Sequence, residues 1–100
     1  MIVNTVFNEA ASRLMPTLKQ YVPIVDRVHG EHHPEFHDVR ALFNTVVDKT
    51  VTAGSNTPDL SDEFAKLRLI TADYTVPGDV CESYAAVYNM LAELDTAYMA

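Results

Sequence analysis

Tryptophan is absent from this chain, cysteine occurs once and glycine three times. The single Cys81 rules out an intrachain disulfide framework and fits a reducing compartment. Basic residues are scarce: seven Lys and Arg face fourteen Asp and Glu, for a net charge of −7. Nucleic acid and anionic membrane surfaces both require a basic patch that releases counterions, so neither is expected as a partner. No apolar run approaches the roughly 20 residues that span a bilayer. Met1-Ile2-Val3-Asn4-Thr5 lacks the basic and apolar regions of a signal peptide. No phosphate loop or nucleophile–base pair is recognisable by spacing, so an enzyme acting on a small molecule is not expected. These absences leave a small cytoplasmic protein.

One hundred residues suffice for one hydrophobic core, and the 48% hydrophobic content is that of an ordinary globular domain. Residues 1–100 therefore read as a single helical domain. Phe7, Ala11, Leu14, Leu18, Tyr21, Val25 and Val28 recur in steps of three and four, the helical period. Asn4 is placed to cap this first helix, and Gly30 to end it in a left-handed conformation. Pro16 and Pro23 each remove a backbone donor, which predicts a kink or a break into two helices near Met15.

Pro34 suits the first position of a second helix, whose stripe is Phe36, Val39, Leu42, Phe43, Val46 and Val47. That helix should fade near Val51, ahead of the turn residues 52–58. Ser61 opens a third helix, continued by Phe64, Leu67 and Ile70 to about Tyr74. Asp79 is expected to cap the fourth, with Val80, Cys81, Tyr84, Val87, Tyr88, Leu91, Leu94 and Tyr98 on its apolar face. Cys81 then reads as a buried structural thiol rather than a nucleophile. The architecture is an all-α antiparallel four-helix bundle.

Chemistry concentrates in Val28-His29-Gly30-Glu31-His32-His33-Pro34-Glu35-Phe36-His37, which holds all four histidines. His33 and His37 are one helical turn apart on one face. The positive end of the second helix disfavours imidazolium there and leaves the neutral ring that binds metal. His29, His33 and His37 with Glu31 and Glu35 are thus the candidate ligands of a mononuclear zinc, iron or nickel ion. The glutamate placement of the zinc-protease helix motif is missing. The competing reading is an exposed histidine cluster that binds nothing.

The residues themselves add a resemblance. Tyr21-Val22, Arg27-Val28-His29-Gly30, His33-Pro34-Glu35 and Leu42-Phe43 resemble the first helical hairpin of the RIC (repair of iron centres) proteins. A second block, Leu67-Arg68-Leu69-Ile70-Thr71-Ala72-Asp73-Tyr74, then Pro77, Cys81, Tyr84, Tyr88, Leu91, Glu93 and Leu94, resembles the same family's passage from third to fourth helix. RIC proteins are hemerythrin-like di-iron proteins that repair iron–sulfur clusters after nitrosative or oxidative damage. The resemblance implies a hemerythrin-like bundle, with damaged iron–sulfur proteins as partners.

It does not bring the family's ligands with it. His29 matches the histidine that ends the family's first helix. The earlier histidine of that helix, about six turns upstream, falls at Asn8. The His-x-x-x-Glu motif of the second helix falls near Ala53 and Thr57, the histidine opening the third has no counterpart before Phe64, and the closing His-x-x-x-Glu falls beyond Ala100. The family's N-terminal cysteine-containing domain has no counterpart either. An intramolecular di-iron centre is therefore not expected. Iron or zinc would be held by the His29–His37 turn, in a homodimer that doubles the ligand count. The alternative is a non-catalytic helical interaction or dimerisation module that kept the fold and lost the metal site.

Overall fold

A computed structural model describes residues 3–100. It contains α1 (Thr5–His29), α2 (Glu35–Ala53), α3 (Ser61–Ile70) and α4 (Glu82–Met99), with no strand among the described residues. α1 packs chiefly on α4 and also on α2, and α2 carries α3. The result is the expected antiparallel four-helix bundle, 42 × 22 × 18 Å in extent.

α1 starts where the sequence indicates. The Asn4 side chain accepts from the Phe7 amide at 3.1 Å and donates to the Ala97 and Tyr98 carbonyls near the end of α4. One residue thus caps a helix and ties together the two chain ends of the bundle. The helix then runs unbroken through Pro16 and Pro23, so two separate helices do not form. Both prolines are exposed, and so are Ser12 and Lys19, whose carbonyls lose the i−4 donor. Water can satisfy those carbonyls, while Leu14, Leu18, Val22 and Val25 keep a continuous buried stripe on the other side.

Gly30 ends α1 for a different reason from the one expected. Its backbone is right-handed, with φ −59° and ψ −25°, so no left-handed stop is present. A Cβ there would lie 2.4 Å from the Asp26 carbonyl oxygen and 2.5 Å from His37 Cε1. Glycine is needed because the Asp26 carbonyl of the last turn of α1 and the His37 ring from α2 together fill the space a Cβ would take. Gly30→Ala should therefore cost about 1–3 kcal/mol through overpacking, readable as a lower urea midpoint with an unchanged slope. A midpoint within error of the parent would refute the close approach.

The other ends shift by a few residues. Pro34 occupies the N-cap of α2 rather than its first helical position, and α2 persists to Ala53 before Gly54 turns at φ +63°. α3 stops at Ile70, four residues short of the expected end. The Thr71 hydroxyl donates to the Leu67 carbonyl at 2.7 Å and accepts from the Tyr74 amide at 2.8 Å. Ala72, Asp73 and Tyr74 then all lie in the left-handed region, at φ 51°, 58° and 61°. That conformation costs roughly 1–2 kcal/mol per non-glycine residue. It is held by Asp95 on α4, which accepts from the Tyr74 hydroxyl at 2.8 Å and from Arg68 at 2.6 and 2.8 Å.

Two aromatic groups fill the core ends. Phe7, Phe64 and Tyr98 pack near the chain termini. Phe36, Tyr84 and Tyr88 pack at the opposite end, directly beneath the histidine turn.

Candidate functional site

The site forms at that second end from two distant stretches: the last turn of α1 with the start of α2, and the segment that leads into α4. α4 begins later than expected. Cys81, not Asp79, holds the N-cap position, with extended backbone at φ −82° and ψ 172° and no side-chain capping bond. The start is late because the Asp79 carboxylate is used elsewhere: its Oδ1 lies 3.0 Å from His33 Nε2.

Cys81 is consequently exposed, not buried on the apolar face of α4. Its Sγ lies 3.1 Å from His29 Nε2 across 52 residues of sequence. Thiol donating to imidazole and imidazolium donating to thiolate both satisfy this contact. Tyr84 supports the arrangement from below. Its ring takes His29 edge-on at 5.4 Å and His33 at 5.5 Å between centroids. The Tyr84 hydroxyl meets that of Tyr88 at 3.1 Å in the core. Burial, reinforced by this bond and the nearby carboxylates, pushes the Tyr84 phenol far above the ordinary range; burial raises Tyr88 as well. Both phenols stay protonated at neutral pH and act as neutral supports.

His33 sits between two carboxylates. Its Nδ1 lies 2.9 Å from Glu35 Oε1, opposite the Asp79 contact at Nε2. Only the imidazolium can donate from both nitrogens. The hydrogen bond to Glu35 raises its pKa above 6.5 most strongly, Asp79 adds to it, and burial opposes both. The sequence argument for a neutral ring counted only the helix end; two carboxylates in contact outweigh a partial charge. With the folded pKa raised, the stabilising contribution is fully present below about pH 6.5 and is lost as pH rises through the folded value. The urea midpoint of the parent should fall over that interval relative to His33→Gln, which lacks the titration. Parallel midpoint–pH curves for the two proteins would exclude the bridge.

The remaining candidates do not join this group. His37 is exposed and stands against the buried Asp26 carboxylate without hydrogen-bond geometry, while Arg40 donates to Asp26 Oδ2 at 3.2 Å. Glu31 and His32 are exposed in the turn. Among the described residues, no group of three or more His, Cys, Asp or Glu side chains is arranged to hold a metal ion. The structure brings together His29 with Cys81 and His33 with Glu35 and Asp79, and leaves His37 and Glu31 apart.

Nor do the residues fit a di-iron centre. Asn8 and Thr57, which stand at two ligand positions of the resemblance, are neighbours: Thr57 Oγ1 is 3.5 Å from Asn8 Oδ1, and Asn8 Nδ2 donates to Ser55 O at 3.2 Å. They lie at the other end of α1, however, and 21 residues of helix separate Asn8 from His29 by about 30 Å. In this chain a centre at the Asn8–Thr57 corner is therefore out of reach of His29. Their neutral side chains complete a hydrogen-bonded corner instead.

Sequence reasoning missed Cys81 and Asp79. The Pro77-Gly78 pair was the available signal, since a break there can delay a helix past the nearest capping residue. Scans of family models, curated proteins and solved structures return no match to this chain. No helix of the described residues is long and apolar enough to cross a membrane.

Proposed function

We propose that this chain is a RIC-type protein serving iron–sulfur cluster repair or iron handling under nitrosative or oxidative stress, and that it works through its His29–Cys81 end without a resident di-iron centre. One observation carries the reading. The two stretches that bear the family resemblance, residues 21–43 and 67–94, meet at this end: His29 with Cys81, and His33 with Asp79 and Tyr84. Imidazole and thiolate are donor types that iron and zinc take from proteins. Two donors leave the rest of a coordination sphere to a client's damaged centre or to a second copy, and a C2 dimer would supply two more from the same residues.

The test is elemental analysis with solution mass on protein expressed without a histidine tag in iron-replete medium. The expected result is about half an equivalent of iron or zinc per chain in a dimer, lost in both Cys81→Ser and His29→Ala. Less than about a tenth of an equivalent overturns the metal claim.

A helical interaction module is the second reading, favoured by the engagement of His33 and His37 with carboxylates of their own chain. It predicts that replacing His29, His33 and His37 together leaves the rescue of damaged cluster enzymes intact. Loss of rescue by a variant that stays folded sinks it.

A further inference from the structure

Cys81 reaches His29 from a segment that packs Val76 and Val80 partly against the core but has few polar contacts to fix its register. Residues 75–77 and 80–81 belong to no regular element, and the Cys81 side chain makes no capping bond to α4. Among the described residues, the side-chain hydrogen bonds joining residues 76–81 to the rest of the bundle are two: Cys81 to His29 and Asp79 to His33. Both anchors belong to one turn, in which the His33 amide donates to the His29 carbonyl at 2.8 Å. His33 is fixed in turn by Glu35 at its other nitrogen and by the edge contact with the buried Tyr84. Two residues of chain reach only about 7 Å, so a fixed Asp79 confines Cys81 to the neighbourhood of His29.

We propose that the Glu35–His33–Asp79 bridge is a positioning device that seats Cys81 Sγ against His29 Nε2. His33 and Asp79 are positioning residues, acting on the working pair through the chain. The purpose of the pair rests on the function proposed above; the seating of the pair does not. The Asp79 side chain is 72% exposed, so its arm of the bridge contributes little to global stability and its loss leaves a folded bundle. The effect belongs to the thiol instead.

The readout is the rate at which Cys81 reacts with 5,5′-dithiobis(2-nitrobenzoate) at neutral pH, with folding checked by circular dichroism. His29→Ala in the parent should change that rate by about threefold or more, because the ring lies 3.1 Å from the sulfur, hydrogen-bonds to it and covers one side of it. In an Asp79→Ala background, the same His29→Ala change should alter it by less than about 1.5-fold. Asp79→Lys, which cannot accept from His33 Nε2, should uncouple the pair in the same way, and Asp79→Glu should restore the coupling. A purely structural role would scale all rates together and leave the His29 effect intact. An undiminished His29 effect in both Asp79 backgrounds overturns the proposal, as does the absence of any His29 effect in the parent. Coupling without metal uptake leaves the positioning standing and removes the metal function; uptake without Asp79-dependent coupling does the reverse.

Discussion

Phe36→Ala is expected to destabilise the bundle by about 3–5 kcal/mol, the range for emptying a large buried aromatic site. Phe36 is fully buried, lies parallel to Tyr88 at 6.3 Å between centroids and packs on Tyr84 at 5.0 Å. Truncation leaves a void beneath two phenols whose hydroxyls already have only each other in the core. The rings cannot collapse into it without breaking that bond or releasing the edges of His29 and His33. A domain of this size has about 5–15 kcal/mol of stability in total, so this is a large fraction. The melting temperature should drop by about 12 °C or more, at 4–8 °C per kcal/mol. Phe36→Leu keeps most of the volume and should cost less than half as much. Equal losses for the two substitutions would show that the void does not form.

Arg68→Ala should cost about 2–4 kcal/mol, because it strands a buried carboxylate. Asp95 is 5% exposed and takes both Arg68 contacts, with Tyr74 as its third donor. The figure sits below the extreme for a fully buried pair because the Arg68 side chain is itself 37% exposed and partly hydrated. The penalty comes from leaving Asp95 unpaired, so the double substitution Arg68→Met with Asp95→Leu should recover much of the loss. Urea denaturation of the single and double variants decides it. A double variant no more stable than Arg68→Ala would mean that the pair itself, and the left-handed turn it holds, stabilises the fold.

Helices were the most legible part of the chain. The periodic stripes of α1, α2 and α4 predict most of the residues that are buried, from Leu14 and Leu18 through Phe36 and Val39 to Leu91 and Leu94, and fail at the helix ends, where Val28 and Cys81 are exposed. Asn4 is legible as a cap because capping is a contact within one turn. Ends that depend on distant residues were not. α3 stops early because Asp95, 27 residues beyond Arg68, rewards a left-handed turn. Gly30 looked like a conformational stop, and its reason is instead a steric one supplied by His37 and Asp26.

The histidine cluster shows the same division. By itself the sequence determined that four histidines would crowd one helix–turn–helix, because spacing and Gly30 and Pro34 are local properties. It also determined the all-helical bundle, since apolar period and helix caps act over a few residues. Only tertiary structure decided which partner each ring takes. His33 goes to Glu35 and Asp79, His37 to Asp26, and His29 to Cys81, which the sequence had placed in the core. The physical reason is that protonation and coordination depend on groups within a few ångströms. Two of those groups, Cys81 and Asp79, arrive from residues 52 and 46 positions away, along a segment whose path no local rule specifies.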